Sequence, residues 1–333
     1  LYSNAYQVWE WIKGRPGEER SLCAIPLFHI YALSVCMNTS IFGGCAIVPV
    51  PKFDADLILK LINDVKPTLY PGTPTMYVAL INHPKIKEYD VSSIRACVSG
   101  SAPLPVEVAL RFEELTGGKL VEGYGLSEAS PVTHINPLCA ARVGAIGTPV
   151  SNTEAKIVDI ETGEKELPVG EIGELAVKGP QVMLGYWQKE NETRAVLRDG
   201  WLYTGDLAKM DENGYFYIVD RKKDMIITGG YNVYPREIEE ALYGHPAIRE
   251  AICAGVPDSY WGEKVKAYVV LKENLQVTQD DLLAYLKKEL ASYKVPKEIE
   301  IRESLPKTAV GKVLRRFLVE EEKQRLQKEA KEA

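Results

Sequence analysis

Between Leu22 and Gly147, short apolar runs alternate with amphipathic stretches. Leu22 to Ile25, Cys45 to Val50, Thr68 to Tyr70 and Ile94 to Val98 have the length and apolar continuity of buried strands. Between them, Asp54 to Asn63 places Leu57, Ile58, Leu61 and Ile62 on one helical face, and Val106 to Leu115, opened by Pro105, makes a second helix. Strand alternating with helix predicts a parallel α/β layer over residues 1–147. Past Gly147 the period shortens. Glu154 to Val158 and Glu171 to Val177 read as short β segments between Gly, Pro and acidic turns, so 148–221 is expected to form a small, barrel-like β-rich subdomain.

From Asp224 the pattern changes again, to helix Pro235 to Tyr243, strands Ile248 to Ala254 and Val265 to Leu271, and helix Gln279 to Leu290. Pro235 suits a first helical turn, Gly244 a helix exit, and Thr278-Gln279-Asp280-Asp281 a capping box. Residues 224–333 therefore read as a separate α+β domain. Beyond Lys312 few apolar residues remain, which predicts a solvated helix that frays.

Composition narrows this picture. The 333 residues are 46% hydrophobic and 26% charged, with a net charge of −6. That balance excludes a protein held to nucleic acid by basicity and suits a cytoplasmic enzyme. Ser21 to Pro51 carries no charged residue, but Pro26, Asn38 to Ser40, Gly43, Gly44 and Pro49 break it into pieces too short to span a membrane. Peripheral membrane contact stays open. Six scattered cysteines without a Cys-x-x-Cys pair read as buried free thiols.

Five segments carry candidate chemistry. Val98 to Leu104, with Gly100, Ser101 and Ala102, lies between a strand and a helix, where small residues let a flat ligand reach the backbone and exposed N–H groups favour phosphate. In Glu122-Gly123-Tyr124-Gly125-Leu126-Ser127-Glu128, two glycines free the backbone around a ring that can stack on a base. There, Ser127 can donate to a phosphate and Glu128 can ligate Mg²⁺. Gly200 to Asp206 ends in a carboxylate able to clamp paired ribose hydroxyls, among turn-forming neighbours. Asp220 to Pro235 joins two domains and contains Gly229-Gly230 after a strand-like run, which suits a thin ligand passing close to the backbone. Leu305 to Lys312 sets one lysine after a glycine. Each segment alone is ordinarily a turn, a linker or surface decoration.

In this order and spacing they resemble the adenylate-forming superfamily of acyl-CoA synthetases, aryl-CoA ligases, luciferases and adenylation domains, over essentially the whole chain. The resemblance implies that Gly100 to Ala102 and Glu122 to Gly125 form the adenine site, with Tyr124 stacking. It further implies that Ser127 supplies a hydroxyl, Glu128 holds Mg²⁺, Asp206 takes the ribose hydroxyls and Arg221 the ribose or phosphate side. Lys223 would be the hinge (222–223), Gly229 and Gly230 the pantetheine tunnel, and Lys312 the catalytic lysine of adenylation. Implied substrates are ATP, coenzyme A and a carboxylic acid, joined through acyl-AMP. His29, after Pro26-Leu27-Phe28, stands where amino-acid-activating relatives place an Asp, so the acid is expected to lack an α-amino group. The wording around Ser130 to His134 resembles medium- and long-chain fatty acyl-CoA ligases, with aryl acids as the alternative.

The pattern departs from the family at one end. A Ser/Thr/Gly-rich loop with a lysine for the β- and γ-phosphates is expected just upstream of Leu1 to Gln7, and the chain opens on Leu1, not Met. A second reading is therefore an AMP- or acyl-AMP-binding fragment impaired in catalysis. Sheet edges open on that side would favour self-association into a homo-oligomer.

Overall fold

The short apolar runs become strands because each is too brief for a buried helix and is flanked by Gly, Pro or polar turns. In the computed structural model, which describes residues 1–102, 104–258, 260–308 and 313–332, Arg20–Cys23 (β1) pairs in parallel with Ala46–Pro49 (β2). Ala96–Ser99 (β3) pairs in parallel with Lys119–Gly125 (β4). Leu69 bridges Ser21 to Ala96, so the layer runs β2, β1, Leu69, β3, β4. Helices Ala55–Val65, Pro74–Ile81 and Val106–Thr116 return the chain between strands. The first begins where the Asp54 carboxylate accepts from the Leu57 N–H (2.9 Å). Ile58 and Ile62 of the expected face are buried together with Leu59, and Leu61 packs partly buried against the same core, whereas Leu57 is 40% exposed.

Val132–Ile135 (β5) and Thr148–Pro149 (β6) extend β4 in antiparallel fashion. A second sheet is built from Glu154–Val158 (β7), Gly173–Lys178 (β8), Leu197–Arg198 (β9), Trp201–Met210 (β10) and Phe216–Arg221 (β11), with spatial order β11, β10, β8, β7 and β9 beside β10. Its core is Ile157, Leu175, Val177, Leu202 and Phe216.

The chain divides into two units, Leu1–Ile218 and Val219–Ala333. In the second, Ile226–Thr228 (β12), Tyr231–Val233 (β13), Ile248–Asp258 (β14), Gly262–Leu271 (β15) and Glu298–Ile301 (β16) form one sheet of order β13, β12, β15, β14, with β16 parallel to β15. Helices Pro235–Tyr243 and Gln279–Glu289 bury Ile238, Leu242, Leu282 and Leu286 against it. The capping box at Thr278 and Asp281 forms in both directions. The terminal helix Arg315–Glu332 corrects an expectation. It is docked rather than loosely solvated, because Leu318 is fully buried and the buried Glu322 reaches the Lys266 ammonium at 2.5 Å. No described helix is long and apolar enough to cross a membrane. All six cysteines are free, and Cys45 and Cys139 are not buried as the sequence suggested.

One buried carboxylate ties the segment that precedes β1 to the sheet. Glu19 accepts from Arg95 (Nη2 at 2.5 Å, Nε at 3.0 Å), Arg15 (3.1 Å) and Thr68. Burial alone would raise its pKa, but hydrogen bonds from Arg95, Thr68 and Arg15 hold it down to about 2. A depressed folded pKa gives stability that is complete above the unfolded value, about 4.3, and lost as pH falls through the folded one. Acid unfolding followed by circular dichroism is therefore expected to be less steep between pH 4.5 and 2 in Glu19→Gln than in the parent. Identical profiles would remove Glu19 from the acid response.

Candidate active site

Ligands of parallel α/β layers gather at the carboxyl ends of the strands. Here β3 and β4 run side by side, with Ser99 opposite Glu122, so Gly100 to Ala102 and Gly123 to Gly125 leave the same edge. The Glu122 to Gly125 run is strand, not loop, and its glycines serve packing. A Cβ on Gly123 would stand 2.9 Å from Val98 Cγ1.

Tyr124 is held from two sides. In register opposite it on β5 stands His134, wholly buried, whose ring lies edge-on to Tyr124 (6.0 Å) and to Phe216 (4.8 Å). Burial pushes the His134 imidazole down to about 3, so it is a neutral packing ring at ordinary pH. On the far side, the Tyr124 hydroxyl donates to Asp206 Oδ2 at 2.5 Å. Asp206 is brought there by a break in a ladder. β10 and β8 pair at Tyr203–Ala176 and again at Leu207–Glu174, with the register shifted between. A bulge of this kind re-aims a side chain. The Thr204 hydroxyl donates to Leu175 O (2.8 Å), and the Gly205 N–H donates to Glu174 Oε1 (3.0 Å). The sequence suggested a turn at Gly200 to Asp206; the structure has a ten-residue strand with this bulge inside it.

Ser127 and Glu128 sit on the short turn after β4. Glu128 Oε1 accepts from the Tyr186 hydroxyl (2.7 Å), the one side-chain partner it has among the described residues. Burial first, then the neighbouring Glu128, pushes the Tyr186 phenol up to about 12, so at neutral pH it is a donor. The donor set suits Mg²⁺, which takes one or two carboxylates and completes its shell with phosphate oxygens and water. Among the described residues no group of three or more His, Cys, Asp or Glu is disposed to hold an ion alone, so an ion at Glu128 would depend on the nucleotide. Tyr186 was missed in the sequence, where no motif singles out Leu184-Gly185-Tyr186-Trp187.

The remaining expected residues are distributed as follows. His29 lies at a helix entrance, its Nδ1 accepting from the Tyr31 N–H (3.3 Å), beside the 81%-exposed Phe28. In the second unit, Arg221 ends β11 and Lys223 is exposed. Gly229 (φ +55°) and Gly230 (φ +85°) form the two-residue turn between β12 and β13, which by itself asks for glycine at both positions. The Gly229 N–H donates to Trp261 O (3.2 Å), and Lys297 Nζ lies 5.2 Å from the centre of the Trp261 ring. Lys312 lies outside the described residues.

The Tyr124 ring, the Asp206 carboxylate bonded to it and the Glu128 turn thus lie together at the carboxyl end of a parallel α/β layer. The family described as AMP-binding enzyme matches residues 1–187, and AMP-binding enzyme C-terminal domain matches residues 237–312. The chain belongs to the AMP-binding enzyme family, and its mixed α/β fold is the adenylate-forming one. It is 59% identical over 309 residues to the long-chain-fatty-acid–CoA ligase of Bacillus subtilis (strain 168), covering 92% of this chain and 55% of that protein. It is 43% identical over 301 residues to a feruloyl-CoA synthase of Amycolatopsis, covering 90% and 60%. Thus the chain spans about half the length of the curated relatives it matches. Among solved structures, ATP-bound MatB from Rhodopseudomonas palustris superposes with a TM-score of 0.90 at 37% identity, over 96% of this chain and 63% of that one. The anthranilate CoA ligase AuaEII in complex with anthranoyl-AMP gives 0.89 at 31%, with the same coverage.

Proposed function

We propose that this chain carries the nucleotide site and C-terminal domain of an ATP-dependent long-chain fatty acid–CoA ligase, an acid–thiol ligase. The carrying observation is the Tyr124–Asp206 hydrogen bond, which sets a stacking ring and a hydroxyl-accepting carboxylate 2.5 Å apart at the end of β4. Identity of 59% to a long-chain-fatty-acid–CoA ligase, against 43% to a feruloyl-CoA synthase, supports the fatty acid as substrate. Six free thiols support a reducing, cytoplasmic setting.

In the reaction, a substrate carboxylate oxygen attacks the α-phosphate of ATP, expelling pyrophosphate and leaving acyl-AMP. The thiol of coenzyme A then attacks the acyl carbon, giving the thioester and AMP, with the thiol proton released to solvent. Tyr124 stacks on adenine, backed by neutral His134. Asp206, which accepts from the Tyr124 hydroxyl, holds the ribose hydroxyls. Ser127 donates to a phosphate oxygen, and Gly100 to Ala102 let the base lie against backbone. Mg²⁺, held through Glu128, would neutralise charge that gathers on the phosphates. Lys312 stabilises the anionic adenylation transition state. Arg221 contacts the ribose or phosphate side and Lys223 is the hinge. For the second step, the Gly229-Gly230 turn passes the pantetheine arm, with Trp261 and Lys297 beside it for the nucleotide end of coenzyme A.

The chain, with ATP, Mg²⁺ and a panel of fatty and aryl acids, is assayed for pyrophosphate release and acyl-AMP. Turnover is expected to favour long-chain acids. Preference for aryl acids would overturn the substrate assignment. Absence of turnover, with AMP still raising the melting temperature, would leave an AMP-binding fragment in place of a ligase.

A further inference from the structure

Tyr186 is fastened to the candidate metal-binding turn at two points. The Met183 N–H donates to the Glu128 carbonyl (2.7 Å), and the Tyr186 hydroxyl donates to Glu128 Oε1 (2.7 Å). The tyrosine's own N–H is held by Thr193 Oγ1 (2.9 Å), whose hydroxyl in turn donates to Lys189 O (2.8 Å). Gly185 permits this closure, since a Cβ there would stand 2.8 Å from the Thr193 methyl. Flanking Leu184 and Trp187 are exposed to solvent, while Tyr186 is half-buried. The loop is therefore shaped so that one phenol reaches one carboxylate.

The chemistry of the donor is the informative part. Arginine or lysine at this place would orient Glu128 but cancel its charge, and a cation would have to compete for it. A neutral phenol orients one oxygen and leaves the negative charge intact. Outer-shell hydrogen bonds to metal-ligating carboxylates act in this way.

We propose that Tyr186 is a positioning residue that fixes the Glu128 carboxylate in one orientation for a nucleotide-bound divalent cation without neutralising it. This rests on the reading of Glu128 as a metal-binding carboxylate.

Mn²⁺ serves as the probe, its free concentration followed by electron paramagnetic resonance as the chain is titrated in the presence of ATP. Tyr186→Phe is expected to weaken Mn²⁺ binding roughly 10-fold, with an unchanged melting temperature. Glu128→Gln is expected to weaken it at least as much, and adding Tyr186→Phe to Glu128→Gln should change little more. Parental Mn²⁺ affinity in Tyr186→Phe overturns the proposal. So does an equal loss in both backgrounds, because the tyrosine would then act on the fold and not through the carboxylate. Binding indifferent to Glu128→Gln removes the metal reading itself, a different failure and one visible in the Glu128 variant alone.

Discussion

Lys312→Ala is expected to lower acyl-AMP formation roughly 10²- to 10³-fold, the usual effect of deleting one preorganised charge from a developing anion. The flanks of this residue are firmly placed. Leu305 is buried, Lys307 bridges to Val313, and the Leu314 N–H donates to Pro306 O at 2.8 Å. Lys307 also pairs with Glu250 (2.7 Å), and Arg315 with Asp224 (2.7 Å) and Glu239 (2.8 Å). Truncating a side chain between such anchors should leave the fold intact, so the loss would be chemical. The carboxylate and the α-phosphate are both anionic as they approach, and a lysine ammonium offsets that repulsion. Thioester formation from supplied acyl-AMP and coenzyme A lacks this encounter of two anions and is expected to change only a few-fold. Measuring both half-reactions separates the roles. Equal losses in the two would mean that Lys312 acts on the fold or on nucleotide binding. Retention of both rates would remove it from catalysis.

The sequence made the parallel layer readable because four apolar runs and two helical stripes alternate between Leu22 and Leu115, although the helix Pro74–Ile81 and the strand Lys119–Gly125 carry no such signal. Tyr124, Asp206 and Glu128 were singled out by the spacing of their motifs, and the structure brings Tyr124 and Asp206 together. Why Asp206 reaches Tyr124 was not legible. That depends on a register shift between β10 and β8, a property of two strands pairing rather than of either alone. Tyr186 escaped for a related reason. Its partner Glu128 is 58 residues away, and no local pattern marks a tyrosine that will meet a distant carboxylate. The terminal helix misled for the opposite reason. Its charged composition predicts solvation, yet one face of it, Leu318 and Glu322 at i and i+4, meets the sheet.

That face governs the stability prediction. Lys266 on β15 is wholly buried, with Glu298 and Glu300 at 2.8 Å on neighbouring β16 and Glu322 at 2.5 Å on the terminal helix. Burial pulls the Lys266 pKa down, but the hydrogen bonds it donates to the three carboxylates more than reverse this, so the ammonium stays charged. Lys266→Met keeps most of the stem's volume and removes the charge, leaving three carboxylates facing one another around it. Breaking a buried pair by removing one partner costs about 3–5 kcal/mol. Urea unfolding of the C-terminal unit is expected to show a loss of that size. Hydrogen exchange should place the first opening at Arg315–Glu332, because the buried Glu322 then loses its Lys266 partner and keeps the Arg325 guanidinium (2.9 Å) on its own helix, which does not tie that helix to the sheet. Pairing the change with Glu322→Leu should restore part of the loss, since an apolar pair can replace a buried ionic one. If Lys266→Met is as stable as the parent, the helix is held by Leu318 and its apolar neighbours alone, and the charged cluster is incidental to its docking.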